Sequence, residues 1–112
     1  MTEEKIREEF LEIASRHHLT IFEGESKYAN RLHKKLMKLY QKAKKVGKQH
    51  LFIEFLNDDN EGVKLWAASF SLHSNPDSAR QCLEDLAKLP TITSMQAKLI
   101  LKLWEKGELE LF

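Results

Sequence analysis

A chain of 112 residues, 42% hydrophobic and 31% charged, has enough apolar side chain for one buried core and too much for a disordered segment. Its single cysteine, Cys82, excludes an internal disulfide, and no apolar run approaches the roughly 20 residues needed to span a bilayer. The net charge of +1 conceals a segregation: residues 1–25 hold three basic and seven acidic side chains, residues 26–53 nine basic and none acidic, and residues 54–112 six basic and ten acidic.

Proline (2) and glycine (4) are scarce and sit near element boundaries, which predicts an all-helical single domain over residues 1–112. Thr2 caps a first helix with Glu3 and Glu4 in its opening turn, where carboxylates suit the positive helix end. Ile6, Phe10, Ile13 and Ala14 recur at helical spacing, and the helix is expected to fade near His17-His18. Leu19 to Glu25 then reads as a loop ending at Gly24, with Ile21 and Phe22 plugging the core from outside.

The second helix is the longest, about Ser26 to Val46, stopped by Gly47. Its apolar set runs from Tyr28, Ala29, Leu32 and Leu36 to Leu39, Tyr40, Ala43 and Val46, within a sector roughly 120° wide. Lys27, Arg31, Lys34, Lys35, Lys38, Lys42 and Lys45 project on the opposite side. One face is core and the other is nearly pure positive charge.

A short third helix, about Lys48 to Asn57, buries Leu51, Phe52, Phe55 and Leu56. The polar turn Asn57 to Gly62 leads into a fourth helix with Val63, Trp66, Ala67 and Phe70 on one stripe. Asn75-Pro76-Asp77 opens the fifth, as N-cap, first-position proline and first-turn carboxylate, and Pro90 ends it. Ala79, Cys82, Leu83, Leu86 and Ala87 form its buried side. The sixth opens with a capping box, Thr93-Ser94-Met95-Gln96, and a staple between Ile92 and Ala97, then runs through Leu99, Ile100, Leu103 and Trp104 to Gly107. The tail from Glu108 to Phe112 is expected to fold its Leu and Phe back on this helix. About six helices with short connections predict three antiparallel pairs, as an α-solenoid fragment or a compact bundle.

The segment Leu51 to Asp59, followed by Val63-Lys64-Leu65-Trp66-Ala67-Ala68 and Leu72, resembles one HEAT repeat, in which an acidic turn bearing Asp59 precedes a Val-Lys-x-x-Ala-Ala helix. The wider pattern is similar to a small family of bacterial single-domain HEAT-like proteins of uncharacterised activity. It rests on Ala29-Asn30-Arg31-Leu32, Val63 to Ala68, Ala79, Leu83, Ala97, Leu103-Trp104 and Gly107-Glu108-Leu109, most of residues 26–109. The resemblance implies a HEAT/armadillo-like α-α superhelix in a bacterial cytoplasm and brings no activity with it.

The four glycines stand alone, so no phosphate-cradling loop is present. In a calcium loop with Gly62 sixth, the twelfth position is Ala68 where a bidentate glutamate belongs, so the acidic turn reads as a helix cap. His17, His18, His33, His50 and His73 form no zinc signature; a through-space site from His17, His18 and a glutamate is the minor reading. Cys82 lies on a buried stripe and reads as core. Trp66 and Trp104 read first as core filler, with an exposed binding anchor as the alternative. The charged start, Met-Thr-Glu-Glu-Lys, lacks the apolar stretch of a signal peptide, so a cytoplasmic protein is expected.

These observations predict a non-enzymatic protein-binding module without metal or cofactor, of which an immunity or antitoxin protein is one concrete form. Its candidate contact surface is Arg31, Lys34, Lys35, Lys38, Lys42 and Lys45, with Trp66 and the rim of the Asp58–Gly62 turn; Asp59, Val63, Lys64, Ala67 and Ala68 are the structural motif. The alternative is a nucleic-acid-binding protein using the same basic face.

Overall fold

The computed structural model of the protein describes residues 2–109. Among these residues there are five α-helices and one 3₁₀ helix and no strand: α1 (Glu3–Glu23), α2 (Ser26–Lys45), the 3₁₀ helix (Gln49–Phe55), α3 (Glu61–Ser71), α4 (Pro76–Ala87) and α5 (Ile92–Glu105). The all-α expectation holds. Consecutive elements pair, α1 with α2, the 3₁₀ helix with α3, and α4 with α5, while α3 also packs on α1, α4 and α5. The Cα radius of gyration is 13.0 Å, as for a globular domain of about 100 residues.

Helix α1 begins as expected, the Thr2 hydroxyl accepting the Lys5 N–H at 3.2 Å. It does not fade at His17-His18. Its buried line continues through His17 and Thr20, and the helix ends only at Gly24, whose φ of 72° is the left-handed conformation glycine adopts freely. Polar residues are tolerated on this core-facing line because each has a partner. The Thr20 hydroxyl donates to the His17 carbonyl at 2.6 Å, and His17 Nδ1 accepts from Trp66 Nε1–H at 3.4 Å. The expected loop is therefore helix, Ile21 is half-buried within it, Leu19 is exposed, and the Phe22 side chain lies outside the description.

Helix α2 follows the predicted wheel, with Leu32, Leu36, Leu39, Tyr40 and Ala43 buried. Val46 departs from it: it follows the helix, 53% exposed, while Gly47 at φ 72° turns the chain and the Lys48 N–H closes on the Ala43 carbonyl at 2.7 Å. The expected third α-helix is a 3₁₀ helix. Three residues per turn set Phe52 and Phe55 on one side, and both rings meet Phe10, at centroid distances of 5.0 and 5.1 Å. Tyr40 stacks on Phe70 at 4.6 Å, and Phe52 meets Phe70 edge-on at 5.0 Å, so the aromatic core joins α1, α2, the 3₁₀ helix and α3.

The turn before α3 is a helix cap. Asn60 Oδ1 accepts the Val63 N–H at 3.1 Å, and Asp58 Oδ1 accepts the Asn60 N–H at 2.9 Å. Helix α3 is not the one-striped helix that its sequence suggests, because every residue from Gly62 to Ser71 except Lys64 is buried. It is the central helix, enclosed on all sides as apolar helices inside a domain are. Gly62 is where α1 comes closest: a Cβ there would overlap His18 Cβ and lie 2.8 Å from His18 Cγ.

Pro76 opens α4 as predicted, although the Asn75 side chain makes no capping bond. Helix α5 starts earlier than the capping box implied. Thr91 is the N-cap residue, Thr93 is buried inside the first turn, and Ile92 is 42% exposed, so no staple closes on Ala97. The physical reason is tertiary. The Thr91 hydroxyl donates to Glu61 at 2.7 Å, tying the start of α5 to the first turn of α3. Leu99, expected in the core, is 56% exposed, whereas Ile100, Leu101 and Trp104 pack against it. Gly107 ends the helix at φ 71°, and Leu109 packs on the core; Leu111 and Phe112 lie outside the described residues.

Candidate interaction surface

All seven basic residues of the predicted α2 face, Lys27, Arg31, Lys34, Lys35, Lys38, Lys42 and Lys45, are exposed. Among the described residues none of them has a carboxylate within ion-pair distance. Other cations do. Arg7 holds Glu54 at 2.9 Å, Lys48 holds Glu3 at 2.7 Å, and Arg80 holds Glu105 at 3.2 Å. The Glu3 carboxyl lies below its usual range chiefly because the Lys48 ammonium donates to it. The C-terminal Lys42, Lys44 and Lys45 sit where the helix dipole favours positive charge. At the other end, Arg31 lies 6.0 Å from the Tyr28 ring centre.

Lys35, Lys38 and Lys42 line a groove of about 350 Å³ between α1 and α2, with Glu9 and Glu12 on its far wall and Ile13 and Leu39 beneath. The groove thus offers three ammonium groups, two carboxylates and an apolar floor. It can hold a segment carrying carboxylates or phosphates against the α2 side.

Trp66 occupies a different hollow. It is 9% exposed, its ring meets His17 edge-on at 5.3 Å and His33 at 5.1 Å, and it walls a cavity of about 350 Å³ with His33, Met37, Ile100 and Leu103. The structure therefore does not bring Trp66 into the lysine groove; α2 separates them, with His33 and Met37 on one flank and Lys35, Lys38 and Lys42 on the other. Burial, and secondarily the neighbouring His33 and His18, push the His17 pKa down to about 4. His17 is consequently neutral near pH 7, with Nδ1 as the acceptor for Trp66 and the proton on Nε2. Burial lowers His18 and His33 as well. This His17–Trp66–His33 cluster was missed in the sequence, where extending the 6–10–14 line of α1 by one more turn to residue 17 was the available signal.

The motif residues are structural in placement. Val63, Ala67 and Ala68 are fully buried, Asp59 is exposed in the turn, and Lys64 is half-buried beside a hollow of about 540 Å³ that also touches Asp77, Asp85 and Cys82. Burial pushes the Cys82 thiol up, and it donates to the Leu56 carbonyl at 3.6 Å, the environment of an inert core thiol. The Thr91 hydroxyl holds the Glu61 carboxyl below its usual range. Among the described residues no group of three His, Cys, Asp or Glu side chains is placed to hold a metal ion, and no helix is long and apolar enough to cross a membrane.

The chain is similar to a solved structure, the protein RPA1889 from Rhodopseudomonas palustris CGA009, with a TM-score of 0.87 over 98% of this chain and 93% of that one. The two share one all-α fold. At 20% identity the likeness reaches no further than the fold. No family model matches the chain, and no curated protein does.

Proposed function

We propose that this protein is a non-catalytic interaction module, a HEAT-like α-α superhelical unit of a bacterial cytoplasm that binds an acidic protein surface through the basic row of α2. The observation that carries the reading is the density of the row: seven exposed cations lie on one face of α2, in a stretch from 26 to 53 with no acidic side chain, and none of the seven has an ion pair among the described residues. Like charges at i and i+4, such as Arg31 with Lys35 and Lys34 with Lys38, each destabilise an isolated helix by about 0.2–0.5 kcal/mol. A partner's carboxylates offset that repulsion, and the groove beside Lys35, Lys38 and Lys42 gives them a place to enter.

Trp66 contributes the wall of its hollow rather than a protruding ring, and no residue of the Asp58–Gly62 turn lines that hollow. An immunity or antitoxin protein is the concrete form this takes, by analogy with other small helical proteins of this size. The test begins with crosslinking capture from the native cytoplasm, followed by calorimetry with the purified partner. The Lys34→Glu, Lys35→Glu, Lys38→Glu triple variant should bind at least about 100-fold more weakly, in line with loss of several charge-assisted contacts. Unchanged affinity would remove the α2 surface from the reading.

A second reading, nucleic-acid binding, is favoured by the same unpaired row, since each phosphate contact releases counterions and makes affinity fall with salt. It predicts a measurable shift of duplex or single strands at about 50 mM salt that weakens steeply at higher salt. No shift at low salt would sink it.

A further inference from the structure

We propose that the chain also associates head to tail with copies of itself, the outer ridge of α5 on one copy seating against the outer ridge of α1 on the next. Among the described residues five of the six exposed large apolar side chains fall on two helices; the sixth, Val46, follows α2. Leu11 and Leu19 lie at i and i+8 on α1, 36% and 56% exposed, and Ile92, Met95 and Leu99 lie at i, i+3 and i+7 on α5, 42%, 70% and 56% exposed. Each set therefore forms one ridge along its helix.

The ridges differ in net charge, with Lys5 and Arg16 also exposed on the outward side of α1. Glu4, Glu8 and Glu12, at i, i+4 and i+8, interleave with the α1 ridge; Lys98, Lys102 and Lys106, at the same spacing, run alongside the α5 ridge. All six are exposed, and none is in an ion pair among the described residues. Each charged row is about 12 Å long, and the apolar lines are about 12 and 10.5 Å long, at 1.5 Å per residue. Three carboxylates and two leucines thus match three ammonium groups and three apolar side chains in both length and sign.

Helices α1 and α5 both pack on α3, and their ridges point away from it, so one copy cannot satisfy itself. The opposite signs favour this contact over either ridge meeting its own copy. A contact between two different surfaces is heterologous, and every copy added leaves one free ridge of each kind. The contact does not use the basic row of α2, although Glu12 belongs both to this ridge and to the wall of the lysine groove.

Sedimentation velocity of the full chain tests this across roughly 1 µM to 1 mM protein, the span of weak association constants. At about 50 mM salt the weight-average sedimentation coefficient should rise steadily with concentration, and at about 500 mM salt the rise should be largely lost, because exposed charges are then screened. Met95→Glu and Leu19→Lys each place a like charge opposite the facing row, at positions exposed enough to leave the fold intact, which circular dichroism would verify. Each variant alone should remain monomeric. Mixed one to one, they retain one wild-type contact and should associate at least to a dimer. A wild-type chain that stays monomeric at low salt throughout the range overturns the proposal. So does assembly of either variant at wild-type strength, or a mixture that stays monomeric while the wild type assembles.

Discussion

Replacing Gly62 with alanine sets two known effects against each other, and the structure decides the sign. Inside a helix, glycine is worse than alanine by roughly 0.5–1 kcal/mol, so the substitution in isolation should stabilise α3. Here the new methyl would overlap His18 Cβ and lie 2.8 Å from its Cγ and 3.1 Å from its Nδ1. The closest of those atoms is not the far end of a flexible side chain; it is fixed to the α1 backbone. Helix α1 must back away from the central helix along a line that also carries Ile6, Phe10, Ala14 and His17. Overpacking of this kind costs about 1–3 kcal/mol, which exceeds the propensity gain, so a net loss of about 1–2 kcal/mol is expected.

For a chain of this size that loss lowers Tm by about 3–6 °C for each kcal/mol, read by thermal denaturation at pH 8. The cause can be isolated with a second substitution. His18→Gly removes the obstructing Cβ at its own cost, and adding Gly62→Ala in that background should then be neutral or mildly stabilising, a coupling of at least about 1 kcal/mol between residues in contact. A Gly62→Ala protein as stable as the wild type would refute the account of α1 and α3 packing. A single variant that is destabilised equally in both backgrounds would refute its cause.

Acid sensitivity follows from His17, whose folded pKa of about 4 lies below the ordinary 6.5. As pH falls through 6.5 the unfolded chain binds a proton that the folded chain refuses, so stability declines until pH reaches about 4 and then levels for this group, by about 2 kcal/mol after allowing for solvent near the site. His17→Gln, which keeps an acceptor for Trp66, should flatten urea-derived stability between pH 6.5 and 4, and an unchanged slope would count against the cluster. Glu61 acts in a lower window: its depressed pKa contributes stability present above the unfolded value and lost as pH falls through the folded one, so Thr91→Val should weaken the fold at neutral pH and reduce the acid loss below about pH 4.5. Asn60→Ala removes the side-chain cap of the central helix and should cost about 1 kcal/mol in denaturant titration, with Asn60→Asp largely preserving stability.

The sequence disclosed the helices whose signals are local. Thr2, Gly47, Pro76 and Gly107 punctuate the chain through their own backbone chemistry, and the α2 wheel separates core from lysine because 3.6-residue periodicity is a property of that segment alone. What was not legible depends on partners distant in sequence. Helix α1 passes His17 because Trp66, 49 residues away, donates to it. Helix α5 starts at Ile92 because Thr91 reaches Glu61 across 30 residues. Ser69 and Ser71 interrupt the apolar pattern of α3 and hide that it is enclosed, yet the Ser69 hydroxyl is accommodated by donating to the Leu65 carbonyl at 2.8 Å. The lysine row was legible as a surface; the His17–Trp66–His33 cluster, assembled from three helices, was not.

The position of α3 also explains why both proposed contacts are placed on the other helices. A helix buried from Gly62 to Ser71 except at Lys64 has almost no surface on which to place charge, and its alanines at 67 and 68 serve close approach rather than contact with a partner. Helices α1, α2 and α5 each present an outward side, and these sides differ in sign: carboxylates on α1, ammonium groups on α2 and α5. Substitutions on the two classes of helix should therefore separate experimentally. Changes in α3 act on Tm through packing, whereas charge reversals on the α2 row or the α1 and α5 ridges act on association at nearly constant Tm, since exposed charges away from partners usually shift stability by no more than about 0.5 kcal/mol. A charge reversal on α2 that unfolds the protein would mean that its lysines hold the fold, and the division between a structural centre and a recognising exterior would then be wrong.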